Sequence, residues 1–152
     1  MNIAIIGYGK MGKSIEMMAL ERGHNIIAKI DSNDFSSADL KNADVAIEFS
    51  QPDVAVENIK KCFLANIPVV VGTTGWYDKY GEIRKIAEET EQTLFTATNF
   101  SIGVNIVFHI NKKLAEVMNQ FSQYDVHMTE TKHNPYTHFL ECKQPLEYNY
   151  HI

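Results

Sequence analysis

Short apolar runs alternate along this chain with segments whose apolar residues recur every three or four positions. The runs lie at 2–6, 25–30, 44–49, 67–71 and 93–97 and are β-branched or aliphatic. Such runs predict strands covered on both faces. The periodic segments predict helices at about 10–22, 52–66, 78–91 and 103–121. In the second helix Ala55, Ile59, Cys62 and Phe63 share a face, and Ser50 is the expected N-cap ahead of Pro52 in the first turn. In the fourth, Ile106, Ile110, Leu114, Val117 and Phe121 form a stripe. Val104, Phe108, Ala115 and Met118 widen it, which predicts burial on more than one side. The segment 32–43 is polar and short, with weak helical character. Strand–helix alternation of this kind predicts an α/β fold, a doubly wound parallel sheet of the Rossmann type, with right-handed crossovers. Its ligand belongs at the carboxyl ends of the strands, where the strand order reverses. The expected organisation is a dinucleotide-binding domain over 1–102, then a connecting helix and the beginning of an α+β substrate domain over 103–152.

The first βα junction carries the chemistry. Ile3-Ala4-Ile5-Ile6 leads into Gly7-Tyr8-Gly9-Lys10-Met11-Gly12, a helix follows, and Asp31 stands about twenty residues on. Each glycine has its own reason: Gly7 for a tight turn, Gly9 for close approach of a pyrophosphate to the backbone, Gly12 for helix–strand packing. The helix N-terminus adds bare N–H groups and a positive dipole end. Asp31 is placed to accept hydrogen bonds from a ribose diol. Its carboxylate repels a 2′-phosphate and favours NAD, while Lys10 leaves NADP open. Two more loops follow strands, Gly72-Thr73-Thr74-Gly75 and Ala97-Thr98-Asn99-Phe100-Ser101. Together they read as a lining for the nicotinamide half, although either alone is an ordinary turn or helix cap. Glu48-Phe49-Ser50 ends the third strand and faces the same crevice. Trp76 reads as a packing or lid residue.

Composition narrows the field. The chain has 152 residues, a net charge of −5, 45% hydrophobic and 22% charged residues. A core is within reach at this size, because roughly 70% of the unfolded surface can be buried. The acidic balance argues against nucleic acid and anionic membrane surfaces. Cys62 and Cys142 form no ligand motif, and reduced thiols in the cytoplasm fit best. No secretory leader and no apolar run of membrane-spanning length stands in the sequence. His127, Glu130 and His133 are spaced by three, but Tyr124 to Glu130 alternates as a strand would, which splits them across two faces; no metal site is expected. His109 reads as a packed or capped histidine, Met17 and Met18 as core filler, and Glu88, Glu89 and Glu91 as a solvated helix end.

The glycine motif, Gly72-Thr73-Thr74-Gly75 and the run Ala97-Thr98-Asn99-Phe100-Ser101-Ile102-Gly103-Val104-Asn105 together resemble the 4-hydroxy-tetrahydrodipicolinate reductase (dihydrodipicolinate reductase) family of lysine biosynthesis. Phe49-Ser50 matches the family's Asp-Phe-Ser/Thr, with Glu48 in place of the aspartate. The resemblance covers about residues 1 to 133 and implies reduction of a cyclic imine dicarboxylate by NADH or NADPH to tetrahydrodipicolinate. It also implies a homotetramer assembled through the substrate domain. Gly7 to Gly12 and Asp31 would hold the adenosine diphosphate half; Gly72, Thr73, Thr74, Ala97, Thr98, Asn99 and Phe100 would hold the nicotinamide half. The family's catalytic segment, Glu-x-His-His-x-x-Lys, reads here Glu130-Thr131-Lys132-His133-Asn134-Pro135-Tyr136. Lys132 occupies the position of the first, catalytic His, His133 that of the substrate-binding His, and Tyr136 that of the Lys. The departure predicts a truncated or frameshifted member with a degraded catalytic segment, and a non-catalytic NAD-binding module is the alternative. An uncovered end of the 103–121 helix predicts self-association.

Overall fold

The computed structural model describes residues 1–31 and 34–124. Met1–Thr98 form one compact unit, and a second begins at Asn99. The first unit contains β1 (Asn2–Ile6), α1 (Lys10–Glu21), β2 (Asn25–Ile30), a 3-10 turn (Ser37–Leu40), β3 (Val45–Glu48), α2 (Pro52–Leu64), β4 (Val69–Val71), a 3-10 turn (Tyr77–Lys79), α3 (Tyr80–Glu89) and β5 (Leu94–Thr96). The five strands form one parallel sheet in the order β2-β1-β3-β4-β5. From β1 the chain steps outward to β2 and then crosses back to β3 on the other side. The order therefore reverses between β1 and β3, and a crevice opens at their carboxyl ends.

The alternation of the strands sorts the core into two layers. Ala4 and Ile6 of β1 join Ile30, Ala46, Val69 and Val71 on the face covered by Ala55, Ile59, Cys62 and Phe63 of α2 and by Ile83 and Ala87 of α3. Ile3 and Ile5 point to the opposite face, against Ala19 with Ile15 of α1. Trp76 is almost wholly buried, and its indole N–H donates to the Thr73 carbonyl at 2.8 Å, so it is a packing residue. The five strands and four helices expected over residues 2–121 are all present, with ends shifted by a few residues.

Several local expectations are corrected. Ser50 does not cap α2: Gln51 is the N-cap, Pro52 is the first helical residue, and the Ser50 hydroxyl turns to Glu48. Coverage on both faces holds for β1 but not for the edge strands, since β2 alternates exposed and partly buried residues and Phe95 of β5 is 58% exposed. Met17 is half exposed rather than core filler, because α1 approaches the sheet through its small residues Gly12 and Ala19 and carries Met17 outward. In the second unit, α4 (Ile102–Met118) buries only Val104; Ile106, Ile110 and Val117 are each more than half exposed, and His109 is exposed rather than packed. An apolar stripe records that a helix face can be covered, not that the described residues cover it.

Cys62 lies at the centre of the α2 layer, wholly out of solvent. Burial, and then the nearby Glu48 carboxylate, push its thiol up to about 12 from 9.0. The unfolded thiol ionises near 9.0, so stability is undiminished below that pH and is lost as pH rises toward about 12. A Cys142→Ser chain is expected to leave Cys62 unmodified by a thiol reagent at pH 8 until denaturant is added. Prompt modification of the native chain would contradict this placement.

Candidate functional site

Each strand at the centre of the sheet hands its chain to a loop in register with its neighbour. The Gly7 amide donates to the Ile30 carbonyl at 2.8 Å, the Phe49 amide to Ile6 at 2.8 Å, and the Gly72 amide to Glu48 at 2.9 Å. These bonds continue the ladder past the strand ends and bring three loops to one edge. Beside the first two lies a cavity of about 420 Å³, lined by Gly7 and Gly9 after β1, Ile30 and Asp31 at the end of β2, and Phe49 and Ser50 after β3; the loop after β4 does not reach it. The first turns of α2 complete it with Gln51, Asp53, Val54 and Asn58. It stands at the reversal of strand order.

The three glycines of the motif separate by geometry. Gly7 has φ +90°, and a Cβ there would lie 2.0 Å from the Phe49 carbonyl oxygen. At Gly12 a Cβ would meet the Gly7 carbonyl oxygen at 2.3 Å, so α1 can approach β1 only with hydrogen at that position. Gly9 differs from both. Its backbone is extended (φ −77°, ψ −153°), a conformation open to any residue, and a Cβ would meet nothing within 4 Å. The fold itself gives no reason for glycine at Gly9, a residue that lines the cavity. Gly9 is also the N-cap of α1 and supplies no side-chain cap, so the first-turn amides face that space with the positive end of the helix dipole. This is a cradle suited to a phosphate group.

Asp31 lines the same cavity and accepts a hydrogen bond from the Tyr8 amide at 3.2 Å. The motif loop and the acid that follows β2 are thus tied directly. Tyr8 is anchored a second way: its hydroxyl donates to Glu16, which also pairs with Lys29 at 3.2 Å, and the Lys29 ammonium lies 5.2 Å from the Tyr8 ring. The hydrogen bond to Glu16 raises the Tyr8 phenol, and the same bond together with Lys29 lowers the Glu16 carboxyl. Lys10 and Met11 occupy the first two positions of α1.

The loop after β4 is held to the loop after β3. A Cβ at Gly72 would fall 2.0 to 2.5 Å from three ring atoms of Phe49, so the ring lies directly over this glycine. Thr73 is buried, and its hydroxyl oxygen accepts from the Ser50 amide at 2.8 Å. Thr74 is exposed. Ala97 is half-buried and Thr98 exposed at the close of the first unit. In the second unit Asn99 and Phe100 open a helix start: the Ser101 amide donates to Asn99 Oδ1 at 2.8 Å, Ser101 caps α4, and Asn105 Nδ2 donates to the Asn99 and Ser101 carbonyls at 2.9 and 2.8 Å. Lys132 and His133, and the strand expected over Tyr124 to Glu130 beyond its first residue, lie outside the described residues.

Sequence reasoning placed Gly7, Gly9 and Asp31 together and noted Glu48 to Ser50 at the crevice. It missed Gln51, Asp53, Val54 and Asn58. The available signal was Pro52, which starts α2 immediately after the β3 loop and so points its first turns at the reversal of strand order. Among the described residues no group of three or more His, Cys, Asp or Glu could hold a metal ion, and no helix is long and apolar enough to cross a membrane.

A family model described as dihydrodipicolinate reductase, N-terminus, matches residues 1–100. A 4-hydroxy-tetrahydrodipicolinate reductase of Christiangramia forsetii is 45% identical over 135 residues, covering 88% of this chain and 56% of its own length. Proteins of the same name from Staphylococcus epidermidis and Staphylococcus aureus are each 33% identical over 144 residues, covering 88% of this chain and 57% of theirs. The chain thus spans little more than half the length of these relatives. A doubly wound sheet with the glycine loop and Asp31 at its crevice, matched by that model over its first hundred residues, places the chain in the dihydrodipicolinate reductase family.

Proposed function

We propose that the first unit binds a reduced pyridine nucleotide and that the protein acts in the NAD(P)H-dependent reduction of a cyclic imine dicarboxylate to tetrahydrodipicolinate. The observation that carries the reading is Gly9: the protein leaves its side-chain space open, and this N-cap of α1 lines one cavity together with Asp31. The diphosphate is held at those amides, and Asp31 accepts from the adenosine ribose hydroxyls. Gly72, Thr73 and Thr74, with Ala97, Thr98, Asn99 and Phe100, serve the nicotinamide half. The bound nucleotide supplies the hydride. The chain's own part is to orient the nucleotide and to deliver a proton and carboxylate contacts. Lys132, in the place of the family's catalytic His, and His133 are the residues assigned to those tasks.

Asp31 favours NADH, since a 2′-phosphate beside a carboxylate is repelled. Calorimetric titration is expected to show tighter binding of NADH than of NADPH. Asp31→Ser is expected to weaken NADH about tenfold to a hundredfold, the scale of one charge-assisted hydrogen bond, and to weaken NADPH less. Absence of heat with either nucleotide would end the reading. A second reading, a nucleotide-binding module without catalysis, is favoured by Lys132 and Tyr136 standing where the family has His and Lys. Consumption of NADH with freshly prepared substrate separates the two, since only the first predicts turnover.

A further inference from the structure

Glu48 ends β3 with its side chain fully buried beneath the wall that Ser50 and Asn58 present to the cavity. Its Oε1 accepts from the Ser50 hydroxyl, from the Ser50 amide at 3.2 Å and from Asn58 Nδ2 at 3.3 Å. Asn58 Nδ2 also donates to Ser50 Oγ at 3.1 Å. The other oxygen, Oε2, is buried and finds no hydrogen-bond partner among the described residues. A buried carboxylate with one orphan oxygen weakens a fold, and a well-packed apolar residue would serve stability better. Its worth must lie in what it does to its neighbours.

The hydrogens can be assigned. Serine has one hydroxyl hydrogen, and it goes to Glu48. One N–H of the Asn58 amide is shared between Glu48 Oε1 and Ser50 Oγ, which stand side by side. The Ser50 hydroxyl hydrogen is therefore turned inward, and Ser50 Oγ can meet a ligand only as an acceptor. Across the cavity the first-turn amides of α1 are donors. The cavity is polarised, with donors on the α1 side and acceptors at Asp31 and Ser50.

We propose that Glu48 is a positioning residue: by holding the hydroxyl hydrogen of Ser50, it makes Ser50 Oγ accept from ligand hydroxyls and reject phosphate. The assignment rests on the dinucleotide reading. It adds a second determinant of nucleotide choice, besides Asp31, that never touches the ligand itself.

Glu48→Leu removes the acceptor and frees the Ser50 hydroxyl hydrogen to turn to the cavity, whereas Glu48→Gln keeps one acceptor oxygen in place. Calorimetry on the wild-type chain and both variants should show the preference for NADH over NADPH narrowed about fivefold in E48L and restored to within about twofold in E48Q. Equal weakening of both nucleotides, or no change in either, would overturn the proposal, because a purely structural role moves both alike. If E48L does not fold, Ser50→Ala carries the test: it is expected to weaken NADH about threefold, and unchanged affinity counts against the proposal. Hydrogen exchange of residues 49–51 in the nucleotide-free chain gives an independent readout, faster in E48L and near wild type in E48Q. Failure of the wild-type chain to bind either nucleotide would remove the dinucleotide reading, yet unchanged exchange in E48L would still be needed to remove the positioning role.

Discussion

The same serine substitution at Gly7 and at Gly9 is expected to give opposite results. Gly7→Ser should lower folding stability by about 4 kcal/mol, while Gly9→Ser should change it by no more than about 0.5 kcal/mol and cut nucleotide affinity about tenfold or more. At Gly7 two costs combine. The backbone sits at φ +90°, where an L residue is strained, and the new Cβ would lie 2.0 Å from the Phe49 carbonyl oxygen. That oxygen is backbone, and Phe49 is fixed by the hydrogen bond its N–H donates to the Ile6 carbonyl, so it cannot yield without breaking the ladder between β1 and β3. At Gly9 neither cost applies, and serine is a favoured N-cap, so α1 loses nothing. What the serine occupies is the empty volume before the first-turn amides. Urea unfolding followed by calorimetric titration with NADH checks both halves. Equal loss of stability at the two positions would mean that the motif is only a tight turn, and a Gly9→Ser chain binding NADH like wild type would place the diphosphate elsewhere.

The sequence showed the frame of this site well because its signals are local. A strand must be apolar where it is buried, Gly7 must be glycine where φ is positive, and Asp31 must follow β2 to reach the neighbouring loop. Each of these leaves a mark within a few residues. The parts that escaped are set by partners in a neighbouring element. Asn58 meets Glu48 and Ser50 across a strand end and the first turn of α2, and no spacing rule announces that contact. Ser50 looked like a helix cap because Ser before Pro is a strong cap signal, but a buried carboxylate two residues earlier competes for the hydroxyl and wins. The run from Ala97 to Ser101 read as lining, and the described contacts of its second-unit residues build a helix start: an Asx bond, a serine cap and a bridging amide. The apolar stripe of α4 was legible as a stripe, whereas its exposure depends on what lies opposite, which periodicity does not encode.

The second large effect is a coupling. Gly72→Ala should cost about 2 kcal/mol in the wild-type chain and close to nothing in a Phe49→Ala chain, giving a coupling energy of about 2 kcal/mol between two residues 23 positions apart. The new Cβ would overlap three atoms of the Phe49 ring at 2.0 to 2.5 Å, and the ring is not the free end of a flexible side chain. To move, it must turn about a backbone held by Ile6 on one side and packed against Gly7 on the other. Strain introduced at the β4 loop is therefore felt at the β1 loop, with Phe49 as the joint. Removing the ring opens the space and removes the penalty, although Phe49→Ala alone also loses the packing over Gly72. Urea unfolding of the two single variants and the double variant closes the cycle. Additive losses would show that the glycine serves its own loop alone. A coupling of the expected size would show that the two glycine loops share one mechanical joint, which is why Phe49-Ser50 and Gly72-Thr73 belong together as a single device at the crevice.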